Sequence, residues 1–220
     1  MKIKLGIVAL LCAFNINATA APKAVNGNLD ASYASDYYFR GASLGSDALQ
    51  FSVGANSKVG SVDVFADYFT NQTTGTNTAN TDIVTVGIGS TFLGDVLNVY
   101  GGIVNLDNDS SGATLDGFIS AKLNTVLSPS LSVYRNTDDS LYTVEGSVSH
   151  TIETSLLDLT VSAEGGTTDV TSSTDRAYIG GTLRFSRSFG ACTPHLCLSV
   201  VDADDSSREE IVRAGVTFKF

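Results

Sequence analysis

The chain ends with the stretch Ile211-Val-Arg-Ala-Gly-Val-Thr-Phe-Lys-Phe220, in which apolar and polar residues alternate. Successive side chains of an extended strand point to opposite faces, so this alternation predicts a β-strand with one apolar and one polar face. The apolar face holds Val212, Ala214, Val216, Phe218 and Phe220. The polar face holds Arg213, Gly215, Thr217 and Lys219. Such a strand fits where an apolar medium lies on one side and a polar one on the other.

The same two-residue period recurs along the chain, for example in Leu49–Ala55, Val62–Tyr68, Leu115–Ala121 and Leu157–Ala163. Period two is the signature of strands rather than helices. We predict twelve strands, at 26–40, 48–57, 59–70, 81–92, 95–105, 113–123, 130–135, 141–150, 157–165, 176–186, 195–202 and 209–220. The seventh and eleventh are weak, which leaves ten strands as the alternative.

Composition and charge narrow the class of protein. The chain has 220 residues, of which 43% are hydrophobic and 16% charged, and this predicts a folded chain rather than a disordered one. Its formal net charge is −10, and the isoelectric point is near 4.4. Such a surface repels a phosphate backbone, so we expect no nucleic-acid partner.

The first twenty residues are typical of a secretory signal peptide. Met1, Lys2 and Lys4 form a basic start, Leu5–Phe14 is an apolar run, and Ala18-Thr19-Ala20 is a small-residue cleavage site. We therefore divide the chain into a signal peptide at 1–20 and one domain at 21–220. No linker or second domain is evident.

Connection lengths indicate what the apolar strand faces contact. A soluble sandwich buries such faces, whereas a membrane barrel turns them toward lipid. Short joints near 58–59, 94–95 and 128–130 alternate with longer segments at 41–47, 71–80, 106–112, 136–140, 166–175 and 202–208. This rhythm favours an all-β, transmembrane, antiparallel up-and-down barrel of the bacterial outer membrane, with extracellular loops and both termini periplasmic. The terminal Phe220 would then be the barrel's assembly signal; the alternative is an amphipathic edge strand that happens to be last.

The first hairpin carries a family resemblance. Residues 35–43 read Ser-Asp-Tyr-Tyr-Phe-Arg-Gly-Ala-Ser, and Ala48-Leu49-Gln50 leads into the next alternating strand. This stretch resembles the opening hairpin of the TorF family of putative porins, also called Gcw_chp proteins, which carries a similar S-D-Y-x-F-R-G-x-S pattern. The resemblance covers about 20 residues and implies an outer-membrane barrel whose substrate is poorly defined. This chain has no Trp, whereas family members often have Trp in their strands.

If the apolar faces meet lipid, the charged residues between them point into the lumen. The candidate pore-lining residues are Asp36, Arg40, Asp63, Asp67, Asp116, Lys122, Glu145, Glu164, Arg176, Arg184, Arg213 and Lys219. Asp36 and Arg40 share a strand face, which predicts either a salt bridge or a part of a constriction. Arg184, Arg213 and Arg40 are expected to form a positive wall. The ion selectivity does not follow from this pattern.

Two cysteines remain after signal-peptide removal. Cys192 and Cys197 flank Pro194 in a segment that we interpret as a turn. We predict a disulfide between them; a Cys/His metal site with His195 and a pair of free thiols are the alternatives.

The function expected from these features is passive diffusion of small hydrophilic solutes or ions through a porin-like channel. The alternative is a non-conducting barrel that serves as a surface-binding or structural protein. His150 and His195 are the only histidines and no hydrolase motif is present, so we expect no catalytic residues, no enzyme activity, no metal and no cofactor. The expected partners are outer-membrane lipid and lipopolysaccharide, the barrel assembly machinery and the solutes themselves. The oligomeric state is left open.

Overall fold

The structure, a computed structural model, describes residues 25–40, 42–74, 80–110, 112–138, 141–168, 176–204 and 206–220. The predicted signal peptide lies outside these residues and stays a prediction. The described part forms twelve strands: β1 (Asn26–Phe39), β2 (Ala42–Val59), β3 (Val62–Thr73), β4 (Thr81–Phe92), β5 (Leu97–Asn108), β6 (Gly112–Leu123), β7 (Ser130–Asn136), β8 (Tyr142–Glu153), β9 (Asp158–Thr168), β10 (Arg176–Ser186), β11 (Cys192–Ala203) and β12 (Ser206–Lys219).

The strands form a closed antiparallel barrel. Each strand pairs with its neighbours in the chain, and β1 closes the sheet by pairing with β12. Closure satisfies the backbone hydrogen bonds of every strand and leaves no sheet edge, which is what a lipid environment demands of a β-protein. The predicted fold class is therefore confirmed with twelve strands. Among the described residues, no helix is long and apolar enough to cross a membrane.

The pleat separates two chemically different faces. Large apolar side chains project outward and are highly exposed, as at Ile88 (59%), Ile119 (59%) and Ile179 (66%). The inward face carries polar residues, some of them fully buried: Gln50 donates to Asn71 at 3.1 Å, and Asn108 donates to Thr81 at 2.8 Å. A water-soluble protein rarely exposes so many large apolar side chains around its whole circumference. The outer wall is therefore suited to hydrocarbon and the interior to polar groups.

The two ends of the barrel differ. One end carries the connections at 60–61, 93–96, 124–129, 154–157 and 187–191. The chain termini meet at the same end, where Gly27 N donates to the Phe220 carbonyl at 2.7 Å and Phe220 N donates to the Gly27 carbonyl at 2.9 Å. We call this the short-turn end. Phe220 thus closes the last hydrogen-bonded pair of the barrel seam.

At the opposite end, the strands run further than the sequence predicts. The expected loop at 41–47 falls largely within β2, and Asp107 and Asp202 are residues of β5 and β11. The prediction of long loops at 41–47, 106–112 and 202–208 is therefore wrong in extent. Backbone pairing continues beyond the point where the apolar alternation stops, because polar side chains at the rim do not oppose the ladder hydrogen bonds.

The predicted disulfide is also wrong. Cys192 and Cys197 are both free, and both lie in β11 rather than on a turn. Five residues of extended strand separate their Cα atoms by roughly 16 Å, whereas a disulfide needs about 5.5 Å. In addition, an odd spacing places the two side chains on opposite faces of the sheet. The turn that Pro194 was expected to form lies earlier, at 187–191.

We expect unfolding of the barrel without reductant to expose two alkylatable thiols, at Cys192 and Cys197. Intact-mass spectrometry of a barrel expressed as residues 21–220, which lacks Cys12, should show two added groups after iodoacetamide treatment, and its Cys192→Ser variant should show one. A parent protein that takes up no label until it is reduced would contradict the strand geometry.

Candidate functional site: the lumen and the crossing hairpin

The first hairpin leaves the barrel wall before it turns. The pairing of β1 with β12 stops at Ala34, opposite Arg213, and the pairing of β2 with β3 stops at Ala48, opposite Thr73. Beyond these positions, β1 and β2 pair only with each other, from Asp36 opposite Ser46 to Phe39 opposite Ala42. We call this two-stranded ribbon, residues 36–40 and 42–46, the crossing hairpin.

Its tip is directed by two local features. The register shifts between Tyr37 and Tyr38, and this irregularity bends the ribbon. Arg40 has a φ of 51°, a left-handed conformation that is uncommon for a residue with a side chain. Together they carry the tip away from the wall beside β1, so that the Arg40 side chain extends across the lumen.

Arg40 reaches the far wall of the barrel. Its guanidinium donates to Asp116 on β6 at 2.6 Å, lies 3.7 Å from Glu145 on β8 and lies 3.9 Å from the ring centroid of Tyr134 on β7. In the barrel order, β7 is six strands away from β1 in either direction. The contact therefore spans the lumen.

The contact is well shielded from water. The side chains of Arg40 and Asp116 are 13% and 11% exposed, and Tyr178 donates to Glu145 at 2.5 Å. The hydrogen bonds to Asp116 and Glu145 and the stacked ring of Tyr134 compensate the free-energy cost of removing these charges from water. If either Arg40 or Asp116 were removed, the other would be left as a buried, unpaired charge. The tip of the hairpin is thus anchored rather than free in the lumen.

The crossing hairpin lies between two cavities of the interior. One has a volume of about 650 Å³ and is lined by β2 to β7. The other has a volume of about 520 Å³ and is lined mainly by β8 to β12 and β1. Phe39, Arg40 and Glu145 line both. We call these the β2–β7 cavity and the β8–β1 cavity.

Most of the predicted pore-lining residues lie on these cavities. Asp63 and Asp67 line the first, Asp36, Glu164, Arg184 and Arg213 line the second, and Arg40 and Glu145 line both. Asp116 binds Arg40. Lys122, Arg176 and Lys219 occupy inward positions of the pleat and are exposed near the barrel ends.

Two predicted groupings of these residues are wrong. Asp36 does not pair with Arg40; it accepts hydrogen bonds from Tyr37 N at 2.7 Å and Ser43 Oγ at 3.5 Å. Arg40 does not join the expected positive wall either, because the bend at Tyr37 and Tyr38 carries it across the lumen. That wall consists of Arg184 and Arg213, which flank Cys197 in the ladder.

The two histidines lie on opposite faces of the barrel wall. His150 faces outward, and its Nδ1 lies 2.9 Å from the Val126 carbonyl. His195 faces inward, fully buried, with Nδ1 3.7 Å from Asp30. Among the described residues, no three His, Cys, Asp or Glu side chains are placed to hold a metal ion.

The predicted pore-lining residues do not include the inward aromatic residues of β3, β5, β6 and β7 that line the β2–β7 cavity, which are Phe65, Tyr100, Phe118 and Tyr134. The two-residue period of the sequence predicts their direction, because Phe65 falls between Asp63 and Asp67 on the inward face of β3.

Comparison with known proteins places the fold. No family model and no curated protein matches the chain. It is similar in structure to KdgM porin, with a TM-score of 0.61 and 14% identity over 88% of this chain and 99% of that chain. A KdgM porin in complex with disordered oligogalacturonate has a TM-score of 0.58 and 16% sequence identity, and the match covers 88% of this chain and 99% of that chain. NanC porin has a TM-score of 0.59 and 14% sequence identity, and the match covers 87% of this chain and 100% of that chain.

This chain therefore has the barrel fold of outer-membrane porins. The similarity supports the porin-like barrel that the TorF resemblance implies, and the assignment to TorF itself stays a prediction.

The anchoring of the hairpin tip is testable by a double-mutant cycle. Arg40→Met leaves Asp116 buried without its cation, and we expect a loss of about 2–4 kcal/mol in the free energy of unfolding. The same loss is expected for Asp116→Leu, and the double variant should lose less than the sum of the two. Urea unfolding of the barrel in lipid vesicles, followed by circular dichroism, measures these values. Strictly additive losses would show that the two side chains do not interact.

Proposed function

We propose that this protein is an outer-membrane channel through which small hydrophilic solutes or ions diffuse passively. The observation that carries the proposal is a polar, charged interior with two cavities inside a closed barrel whose outer wall is apolar. A barrel of twelve strands encloses more space than the eight-stranded barrels that side chains can fill. The β2–β7 and β8–β1 cavities then form the solute path, and the crossing hairpin is its constriction.

The orientation follows the general arrangement of such barrels. We place the short-turn end and both termini in the periplasm, and the opposite end outside the cell. Outer-membrane lipid and lipopolysaccharide would surround the apolar wall, and the barrel assembly machinery would insert the chain through its final strand.

The similar structures support a hydrophilic cargo. One of them is KdgM porin in complex with disordered oligogalacturonate, so a barrel of similar fold binds a polar oligomer. In the present chain, the cavity walls offer charged groups of both signs, among them Asp67, Glu164, Arg184 and Arg213. Charged walls favour hydrated polar solutes over apolar ones.

The crossing hairpin also favours a second candidate, a barrel closed to solutes. Arg40 bridges the lumen through buried contacts, and this bridge narrows the path. In that case the function would lie in the surface at the end opposite the short turns. The two candidates differ in a single measurable property, the conductance of the folded barrel.

Single-channel recording in a planar bilayer tests the proposal. The purified, folded protein should give stable current steps in KCl. Arg40→Ala removes the bridge, so its conductance should rise by roughly 1.5- to 2-fold. Lys122→Ala, a charge removal near the short-turn end, is the control and should change conductance less. Inserted, folded protein without steps in either form would support the closed barrel instead.

A further inference from the structure

The β2–β7 cavity has the size of a ligand site. Its volume of about 650 Å³ falls within the range of roughly 300–1,000 Å³ that is common for small-molecule sites. The strand register determines which side chains meet there, because inward residues that are paired across adjacent strands form continuous rows around the wall.

Three successive rows build the wall of this cavity. The middle row contains three inward-facing aromatic residues, Phe65, Phe118 and Tyr134. The row on one side holds the carboxylates Asp67 and Asp116, and the row on the other side begins with Asp63. Aromatic rings thus lie between two levels of negative charge.

Glycines make room for the rings. The paired positions between Phe65 and Phe118 are Gly87 and Gly102. A Cβ atom at Gly87 would lie 2.5 Å from Phe65 Cζ, and one at Gly102 would lie 2.9 Å from Phe118 Cε1. The rings therefore pack against bare backbone on the wall, which keeps the space in front of them open.

The carboxylates of this cavity are poorly neutralised. Among the described residues, Asp67 has no cation within ion-pair distance. Asp63 pairs with Lys58 at 3.8 Å, but the Lys58 side chain is 50% exposed and the pair is weak. Negative charge beside aromatic faces attracts a positively charged group.

One cation already occupies the edge of this cavity. The guanidinium of Arg40 lies over the Tyr134 ring and binds Asp116. The chain therefore shows that a ring and a carboxylate from these rows together hold an organic cation. Phe65, Phe118 and Asp67 offer the same combination of aromatic rings and a carboxylate, and no cationic side chain of the described residues pairs with Asp67.

We propose that the β2–β7 cavity binds a small organic cation. Its ammonium group lies beside Asp67, and its alkyl groups pack on Phe65 and Phe118. Aromatic faces favour a weakly hydrated alkylammonium over the strongly hydrated K⁺ ion. This inference rests on the proposed function, since the solute must enter the lumen, and it names the class of solute that one half of the lumen selects.

Calorimetric titration of the folded barrel in detergent with tetraethylammonium chloride tests the inference, with KCl at the same ionic strength as the blank. The parent protein should bind saturably. Asp67→Asn and Phe118→Leu should each weaken binding at least about 5-fold, and Asp67→Glu should restore most of the affinity.

Two variants serve as matched controls. Asp95→Asn removes one carboxylate at the 93–96 turn, and Phe92→Leu removes one ring from the outer wall. Both should bind tetraethylammonium like the parent, and a gel-migration assay of heated and unheated samples confirms that each variant is folded.

Two results would overturn the inference: no saturable binding by the folded parent, or unchanged binding by both Asp67→Asn and Phe118→Leu. These results are separable from the fate of the channel proposal. A barrel that conducts KCl and does not bind tetraethylammonium refutes the cation site alone. A barrel that binds tetraethylammonium and conducts no ions refutes the channel and leaves the site in place.

Discussion

The interior of this barrel is organised by one buried ion pair, the guanidinium of Arg40 with the carboxylate of Asp116 at 2.6 Å. Arg40 belongs to the turn between β1 and β2, whereas Asp116 belongs to β6 on the far side of the lumen. Because both charges are shielded from water, separating them would cost several kcal/mol of stability, since each would be left buried and unpaired. The pair therefore holds the crossing hairpin in place between the two cavities of the lumen.

The two cavities on either side of the hairpin differ in chemistry. The β2–β7 cavity combines aromatic rings with carboxylates, and its glycines let those rings lie close to the backbone. The β8–β1 cavity contains Arg184 and Arg213 together with Asp36 and Glu164, so its charges are mixed. The two cavities thus present surfaces of distinct character, separated by Phe39 and Arg40.

The fold follows closely from the sequence, and the site does not. Period-two alternation identifies all twelve strands, because the contrast between lipid and lumen is imposed at every residue pair along each strand. Alternation also places Asp63 and Asp67 inward. It also places Arg40 in the lumen, but it does not predict the partner of Arg40, because a register shift and a left-handed residue carry the side chain across to Asp116. It also fails at the rim opposite the short turns, where backbone pairing continues without any apolar pattern. The error at Cys192 has a different source, because Pro194 predicts a turn but lies within β11.

The central claim is that the tip of the first hairpin lies against β7 across the lumen. Nuclear Overhauser effects in micelles, measured on barrel with labelled arginine and tyrosine, test it most directly. With the Arg40 guanidinium 3.9 Å from the Tyr134 ring centroid, we predict cross-peaks between the two side chains and upfield-shifted Arg40 protons. Arg40 signals at random-coil positions, with no cross-peak to Tyr134, would show that the hairpin does not cross the lumen.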